Sequence, residues 1–287
     1  MKCSLFAFMM ISINCFATQL PFSNHPFGVP ATDESLTLIS ENLEMPSILQ
    51  SGQVPVLNQG GGYAVVYLDP ISRKCVDYCK EAQGPLLDIG AGYGTISLAV
   101  LKETNVTVIA EDIGVENLLV LRKHADIKDY SRLFLNGDRF PDALNFIDNC
   151  LGAVAVRMVF HFLKGDEIDA GLQKIYHWLI PGGKLFIVCS SPYIKPLVNF
   201  IALYEERVSQ GILWPGHIDD YASLCPQMPN LPLFLHVIDF RIMSAALLRA
   251  GFEIEEMTFV DRRTIPSVSL DGRESIGVIA IKPKTDF

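Results

Sequence analysis

The stretch Pro85-Leu86-Leu87-Asp88-Ile89-Gly90-Ala91-Gly92-Tyr93-Gly94-Thr95 decides how this chain is built. A short apolar run ends in three glycines at alternate positions, and a helical pattern over 93–103 follows directly. Glycine permits the sharp turn and lets the backbone approach a ligand, while the free N–H groups opening the next helix face an anionic group. A nucleotide-type cofactor is implied. The spacing is not the dinucleotide fingerprint G-x-G-x-x-G/A, because Thr95 stands where the third small residue would fall. The acid two places before the first glycine also suits a pyrophosphate poorly.

Outward from this turn, strand and helix signals alternate. Strands are expected near 85–89, 106–111, 132–135, 152–158, 184–190, 252–260 and 274–282, with helices near 93–103, 115–125, 165–179 and 239–250. Apolar strands separated by helices mean an α/β chain with a mostly parallel sheet covered on both faces. Residues 261–273 leave no room for a crossover helix, so the last two strands should pair antiparallel. The alternation also breaks at about 191–237, which carries six prolines, and such an insertion is expected to cap a site.

Residues 18–62 are rich in Pro, Asn, Gly and Ser, with a helical hint from Asp33 onward, and read as an arm or lid in front of a domain over 63–287. Before it, Met1-Lys2, the apolar run Leu5 to Ile13 and the small residues up to Ala17 have the form of a signal peptide over 1–17. That form favours export; a cytoplasmic chain is the alternative. No later stretch approaches the roughly 18 apolar residues of a membrane span. The net charge of -9 argues against a nucleic-acid partner. Without the leader the cysteines number five, an odd count that indicates neither a disulfide framework nor a zinc ribbon.

The sequence resembles the class I S-adenosylmethionine-dependent methyltransferases, whose first motif is acid-x-Gly-x-Gly-x-Gly; here it is Asp88, Gly90, Gly92 and Gly94. Val106 to Ile113 resembles the family's second strand, ending in the acid that grips the ribose diol, with Asp112 aligning best and Glu111 beside it. Asn136-Gly137-Asp138 looks like the adenine-side loop, and Pro181-Gly182-Gly183 and Ala250-Gly251-Phe252 like the turns into the fifth and sixth strands. The resemblance spans about residues 63 to 283, with the motifs in the family's order. It implies a Rossmann-like seven-stranded sheet with an antiparallel last strand, and S-adenosyl-L-methionine as cofactor.

It also places Arg157 and the run to Phe162 where the family builds the floor beneath the transferred methyl group. His161 is the base candidate there, unless it caps or packs against the next helix. Tyr193 and His236, near the insertion, are further candidates. Asp138 is either an adenine contact or an ordinary turn residue. The absence of an Asn/Asp-Pro-Pro-Tyr-like run at 157–160 makes planar nitrogens poor acceptors, and missing carboxylates there point to no metal. The expected function is methyl transfer to a small molecule, at oxygen, carbon or nitrogen. A non-catalytic cofactor-binding module and a nicotinamide oxidoreductase are the alternatives.

Overall fold

The computed structural model describes residues 18–58, 62–221 and 233–284. The expected leader and part of the expected insertion, 222–232, lie outside the described residues. Along the chain, the arm supplies strand β1 (Val29–Pro30), helix α1 (Ser35–Ser40), the hairpin β2 (Gln53–Pro55) and β3 (Tyr63–Val65), and then helix α2 (Pro70–Tyr78) follows. The alternating part runs β4 (Leu86–Ile89), α3 (Thr95–Glu103), β5 (Val108–Glu111), α4 (Val115–His124), β6 (Leu133–Asn136), β7 (Leu151–Arg157), α5 (Gly165–Trp178) and β8 (Leu179–Ser190). The insertion contributes α6 (Ile201–Ser209) and the paired β9 (His217–Ile218) and β10 (Leu235–His236), before α7 (Phe240–Ala250), β11 (Glu253–Val260) and β12 (Ser275–Ile281) close the chain.

The main sheet has the order β1-β6-β5-β4-β7-β8-β12-β11. All seven expected strands are in it, and β12 runs antiparallel to both neighbours. The eighth comes from the arm: β1 pairs antiparallel with β6 through Val29↔Leu135, a contact too short to leave a periodic signal. Every residue of β4, β5 and β6 is buried, as strands covered on both faces must be. Alternation sorts their side chains into two cores. Leu87, Ile89, Val154, Val156, Leu185 and Ile187 pack with Ile168, Leu172 and Ile175 of α5 and Met243 and Leu247 of α7. Leu86, Val108, Ala110, Ala153 and Ala155 pack with α2, α3 and α4. Near Pro181-Gly182-Gly183 the register jumps from Leu151↔Leu179 to Ala153↔Lys184, so these residues are the expected turn, taken up as a bulge in β8.

The strand order reverses between β4 and β7, and in an open parallel sheet the crevice at such a reversal, beyond the carboxyl ends of the strands, is where ligands bind. Here the glycine turn after β4 and the segment after β7 flank it. The arm roofs it. The β2–β3 hairpin crosses the glycine turn, with Tyr93 Oη donating to the Pro55 carbonyl (2.8 Å) and Thr95 Oγ1 to the Val65 carbonyl (2.7 Å). Because Gln53 pairs with Val65, this hairpin straddles the expected boundary at residue 62 and the cover continues to Asp69. Farther back, Arg122 on α4 donates to the Ala31 carbonyl and Lys123 to that of Leu43, both at 2.7 Å.

Asp69 is the hinge of this arrangement. It caps α2 by accepting from the Ile71 and Ser72 N–H groups, and its other oxygen pairs with Arg157 Nε at 2.8 Å. Asp69→Ala removes a cap, about 0.5–2 kcal/mol, and strands the largely buried Arg157 guanidinium, so a total loss of about 3 kcal/mol or more is expected in urea unfolding. Asp69→Asn, which keeps the cap acceptor, should lose less; equal losses would refute the ion pair's part.

Candidate active site

A cavity of about 480 Å³ opens at the switch point, within the size range of ligand pockets. Gly90 and Gly92 form one wall, the Arg157 to Leu163 segment the opposite one, and the arm the roof. Gly90 and Gly94 are required by space as well as by turning, whereas Gly92, at φ +53°, is required by turning alone. Gly90 has φ +68°, and a Cβ there would stand 2.2 Å from Val159 Cγ2 across the crevice. Gly94, at φ +82°, caps α3 and would meet Leu121 at 2.5 Å, so it serves packing and is absent from the cavity wall.

Three carboxylates surround the glycine turn. Asp88 reaches from β4 to accept from the N–H and hydroxyl of Ser97, at 3.1 and 2.6 Å, replacing the side-chain cap that Gly94 cannot give. Burial raises its carboxyl to about 6, against those hydrogen bonds. Glu111 accepts from the Gly90 N–H (3.1 Å); burial, reinforced by the Asp112 charge, holds it well above the usual carboxylate range. Asp112 accepts from the N–H groups of Gly92 (2.9 Å) and Gly114 (2.7 Å), and burial raises it despite them. Pleat alternation would send Glu111 and Asp112 to opposite faces. However, β5 ends at Glu111, so the alternation stops and both acids line the cavity.

Arg157 lines the cavity as a tie: beyond Asp69, its guanidinium donates to the carbonyls of Val65 (3.1 Å) and Tyr67 (3.0 Å). His161 follows on a short 3-10 turn, is 6 % exposed and faces the cavity, with Nδ1 unpartnered among the described residues. Burial, and then the Arg262 charge, lowers its pKa to about 3. It is therefore neutral at physiological pH and a weak proton acceptor.

The other expected residues lie elsewhere. Gly137 and Asp138 are exposed in an Asx turn, the Asp138 N–H bonding Asn136 Oδ1 at 2.8 Å, and the cavity wall takes Arg139 and Phe140 instead. Tyr193 points away: its hydroxyl donates to Glu205 (3.3 Å) and Arg273 stacks 3.9 Å above its ring. His236 is buried behind the wall, with Nδ1 on the Leu163 carbonyl (3.0 Å) and its ring against Trp214. Among the described residues, no three His, Cys, Asp or Glu side chains are grouped to hold a metal, and no helix is long and apolar enough to cross a membrane.

Several wall residues carry no motif. Gln53, Val56, Asn58, Ala64 and Val65 come from the arm, Ile194, Tyr221 and Leu235 from the insertion, and Arg262 and Val268 from the loop after β11. Only Arg262 could have been found, since it follows the carboxyl end of an expected strand. Asn117 fastens the arm: it accepts from the Leu57 N–H (3.0 Å) and donates to Asn58 (2.9 Å).

The residues fit a cofactor with a hydroxyl pair and a positive centre: buried carboxylates accept from hydroxyls and attract the charge, and Gly90 leaves no space for a side chain. Comparison with known proteins agrees. The profile of a methyltransferase domain matches residues 86–183. The chain is 28 % identical over 195 residues to a demethylmenaquinone methyltransferase of Thermus thermophilus, covering 65 % of this chain and 84 % of that protein. It is 30 % identical over 182 residues to a ubiquinone/menaquinone biosynthesis C-methyltransferase of Chromobacterium violaceum, covering 60 % and 68 %. In fold it is similar to an S-adenosylmethionine-dependent methyltransferase from Mesorhizobium loti, with a TM-score of 0.55, 14 % identity, and coverage of 74 % of this chain and 97 % of that one. The chain belongs to the class I S-adenosylmethionine-dependent methyltransferases. It is an enzyme, and S-adenosyl-L-methionine is its cofactor.

Two expectations follow. Gly90→Ala should abolish cofactor binding in calorimetric titration, and Gly90→Ala/Val159→Ala should recover part of it because the 2.2 Å contact is relieved. No recovery would mean that backbone strain, not space, dictates the glycine. Asp88 has a folded pKa raised from 3.8 to about 6. Its stabilising contribution is therefore complete below pH 4 and lost as pH rises through 6. Relative to the natural chain, Asp88→Asn should thus gain stability between pH 4.5 and 7.5 in urea unfolding, and a pH-independent difference would refute the shift.

Proposed function

We propose that this methyltransferase acts on a small, largely apolar acceptor seated between the 157–163 segment and the insertion, with the cofactor held at the glycine turn. The carrying observation is the continuity of the cavity from Gly90, Glu111 and Asp112 to Phe162, Leu163, Ile194, Leu235 and Val268. The relatives' names supply demethylmenaquinone as one acceptor and carbon methylation as one outcome. A ring-bearing acceptor of that kind suits these apolar walls.

The cofactor supplies an electrophilic methyl on a sulfonium whose departure leaves a neutral thioether. The chain's work is alignment, and holding two reactants in register lowers a barrier by about 7–11 kcal/mol in favourable cases. In this reading Asp112 accepts from the ribose hydroxyls while Glu111 and Asp112 keep the Gly90 and Gly92 N–H groups in place. Arg157 holds the roof against water, and His161 donates or accepts one hydrogen bond to the acceptor as a neutral ring. The insertion and the loop after β11 share one apolar cluster through Leu197, Tyr204, Ile265 and Val268, which supports their acting together as the acceptor cap.

Acids on the Gly90 and Gly92 N–H groups also disfavour a nicotinamide pyrophosphate, which needs those donors free. Asp112→Ala should weaken S-adenosylmethionine about 10- to 150-fold, corresponding to about 1.5–3 kcal/mol for charge-assisted hydrogen bonds. Glu111→Ala should weaken it as well, through the lost support of Gly90. Calorimetric titration of both variants, with thermal melts to confirm folding, checks the assignment; unchanged affinity in Asp112→Ala removes the ribose role.

A further inference from the structure

Three arginines stand on the cavity wall, and two are neutralised. Arg139 pairs with Glu167 at 2.7 Å, and Arg157 with Asp69 at 2.8 Å. Among the described residues, the Arg262 guanidinium has no hydrogen-bond or ion-pair partner; the residue's own bond is from its backbone N–H, to Glu274. Glu274 is the acid whose charge reaches it, yet that carboxylate is committed elsewhere. Its Oε1 accepts from the N–H groups of Leu270, Asp271 and Gly272 at 2.7–2.9 Å, and its Oε2 from that of Arg262 at 3.0 Å. Burial would raise Glu274, but backbone hydrogen bonds, those from Leu270, Gly272 and Arg262 among them, keep its carboxyl below the usual range and fix the loop that presents Arg262.

A partly buried guanidinium without a partner is costly, and its planar fork matches an oxyanion. Its neighbour on the same wall poses a second, independent demand. His161 is buried, its charge state is influenced by Arg262, and its Nδ1 has no partner among the described residues. One ligand group answers both: an acid oxygen pair accepting from the guanidinium and from Nδ1–H of a neutral imidazole. Position separates this pair from the cofactor end. Arg262 follows the carboxyl end of β11, on the opposite half of the sheet from Asp88, Glu111 and Asp112, and Phe162, Leu163, Ile194, Leu235 and Val268 line the same cavity with apolar surface.

We propose that the methyl acceptor carries an acidic oxygen group, a carboxylate or an acid of the same shape, bound by Arg262 and His161 while its apolar body lies against the insertion. This rests on reading the cavity as a joint cofactor and acceptor site.

The test uses the full chain saturated with S-adenosylhomocysteine and titrated calorimetrically with acid and amide pairs: benzoate and benzamide, phenylacetate and phenylacetamide, 1-naphthoate and 1-naphthamide, octanoate and octanamide. At least one acid should bind roughly 10-fold or more tightly than its amide, as a charge-assisted pair requires. Arg262→Met should erase that preference, Arg262→Lys should retain part of it, and His161→Phe should reduce it several-fold. Affinity for S-adenosylhomocysteine should stay within about 3-fold in Arg262→Met, since Arg262 stands on the other half of the sheet from the glycine turn. Acids and amides binding alike, or a preference that survives Arg262→Met, would overturn the proposal. So would a 10-fold loss of S-adenosylhomocysteine in Arg262→Met, because Arg262 would then serve the cofactor's own carboxylate. Failure of the natural chain to bind S-adenosylhomocysteine would count against the cofactor placement alone, and the acid preference measured without it would still decide Arg262.

Discussion

The guanidinium of Arg157 joins three parts of the molecule that local forces alone leave apart. It sits at the end of β7, shares the second oxygen of the Asp69 cap on α2 with the Ser72 hydroxyl, and donates to the carbonyls of Val65 and Tyr67 at the end of the roof hairpin. The Val65 carbonyl also receives the Thr95 hydroxyl, so the start of α3, just past the glycine turn, and the opposite wall of the crevice are bridged by one backbone oxygen. Paired and hydrogen-bonded on several sides, the buried charge avoids most of its desolvation cost and fixes the roof over the switch point. The enclosed cavity depends on that joint.

Within it the charge distribution is divided. Asp88, Glu111 and Asp112 are held around the glycine turn, and burial raises all three carboxyls above their ordinary values. Such a cluster opposes its own ionisation in the empty protein and relaxes when a positively charged ligand arrives. Such buried charge lowers the stability of the free protein, as is common at functional sites. The arginine after β11 gives the other end the opposite sign.

The elements that line the cavity beyond the glycine turn and the 157–163 segment belong to neither face of the parallel sheet. The insertion and the loop after β11 form a small apolar cluster of their own around Tyr204, Tyr221, Ile265 and Val268. A fold that hosts many functions can vary there without disturbing the strands of the main sheet.

The sequence by itself determined the sheet and the glycine turn. Strands covered on both faces must be apolar throughout, so Leu86–Ile89 and Leu151–Arg157 stand out as runs, and glycines crowded by Val159 and Leu121 have no substitute. It did not determine the roof, because strands of two or three residues are too short to show a period and their pairing is long-range. Nor did it fix which polar side chains face the cavity. Tyr193 and His236 stand near it in the chain, but Arg273 and the Leu163 carbonyl turn them elsewhere. Glu111 joined Asp112 only because the strand stops between them, and Arg262 carries no motif at all. Periodicity reports which face of an element is buried; the direction of a side chain beyond an element's end is set by partners distant in sequence, and only the tertiary structure decides those.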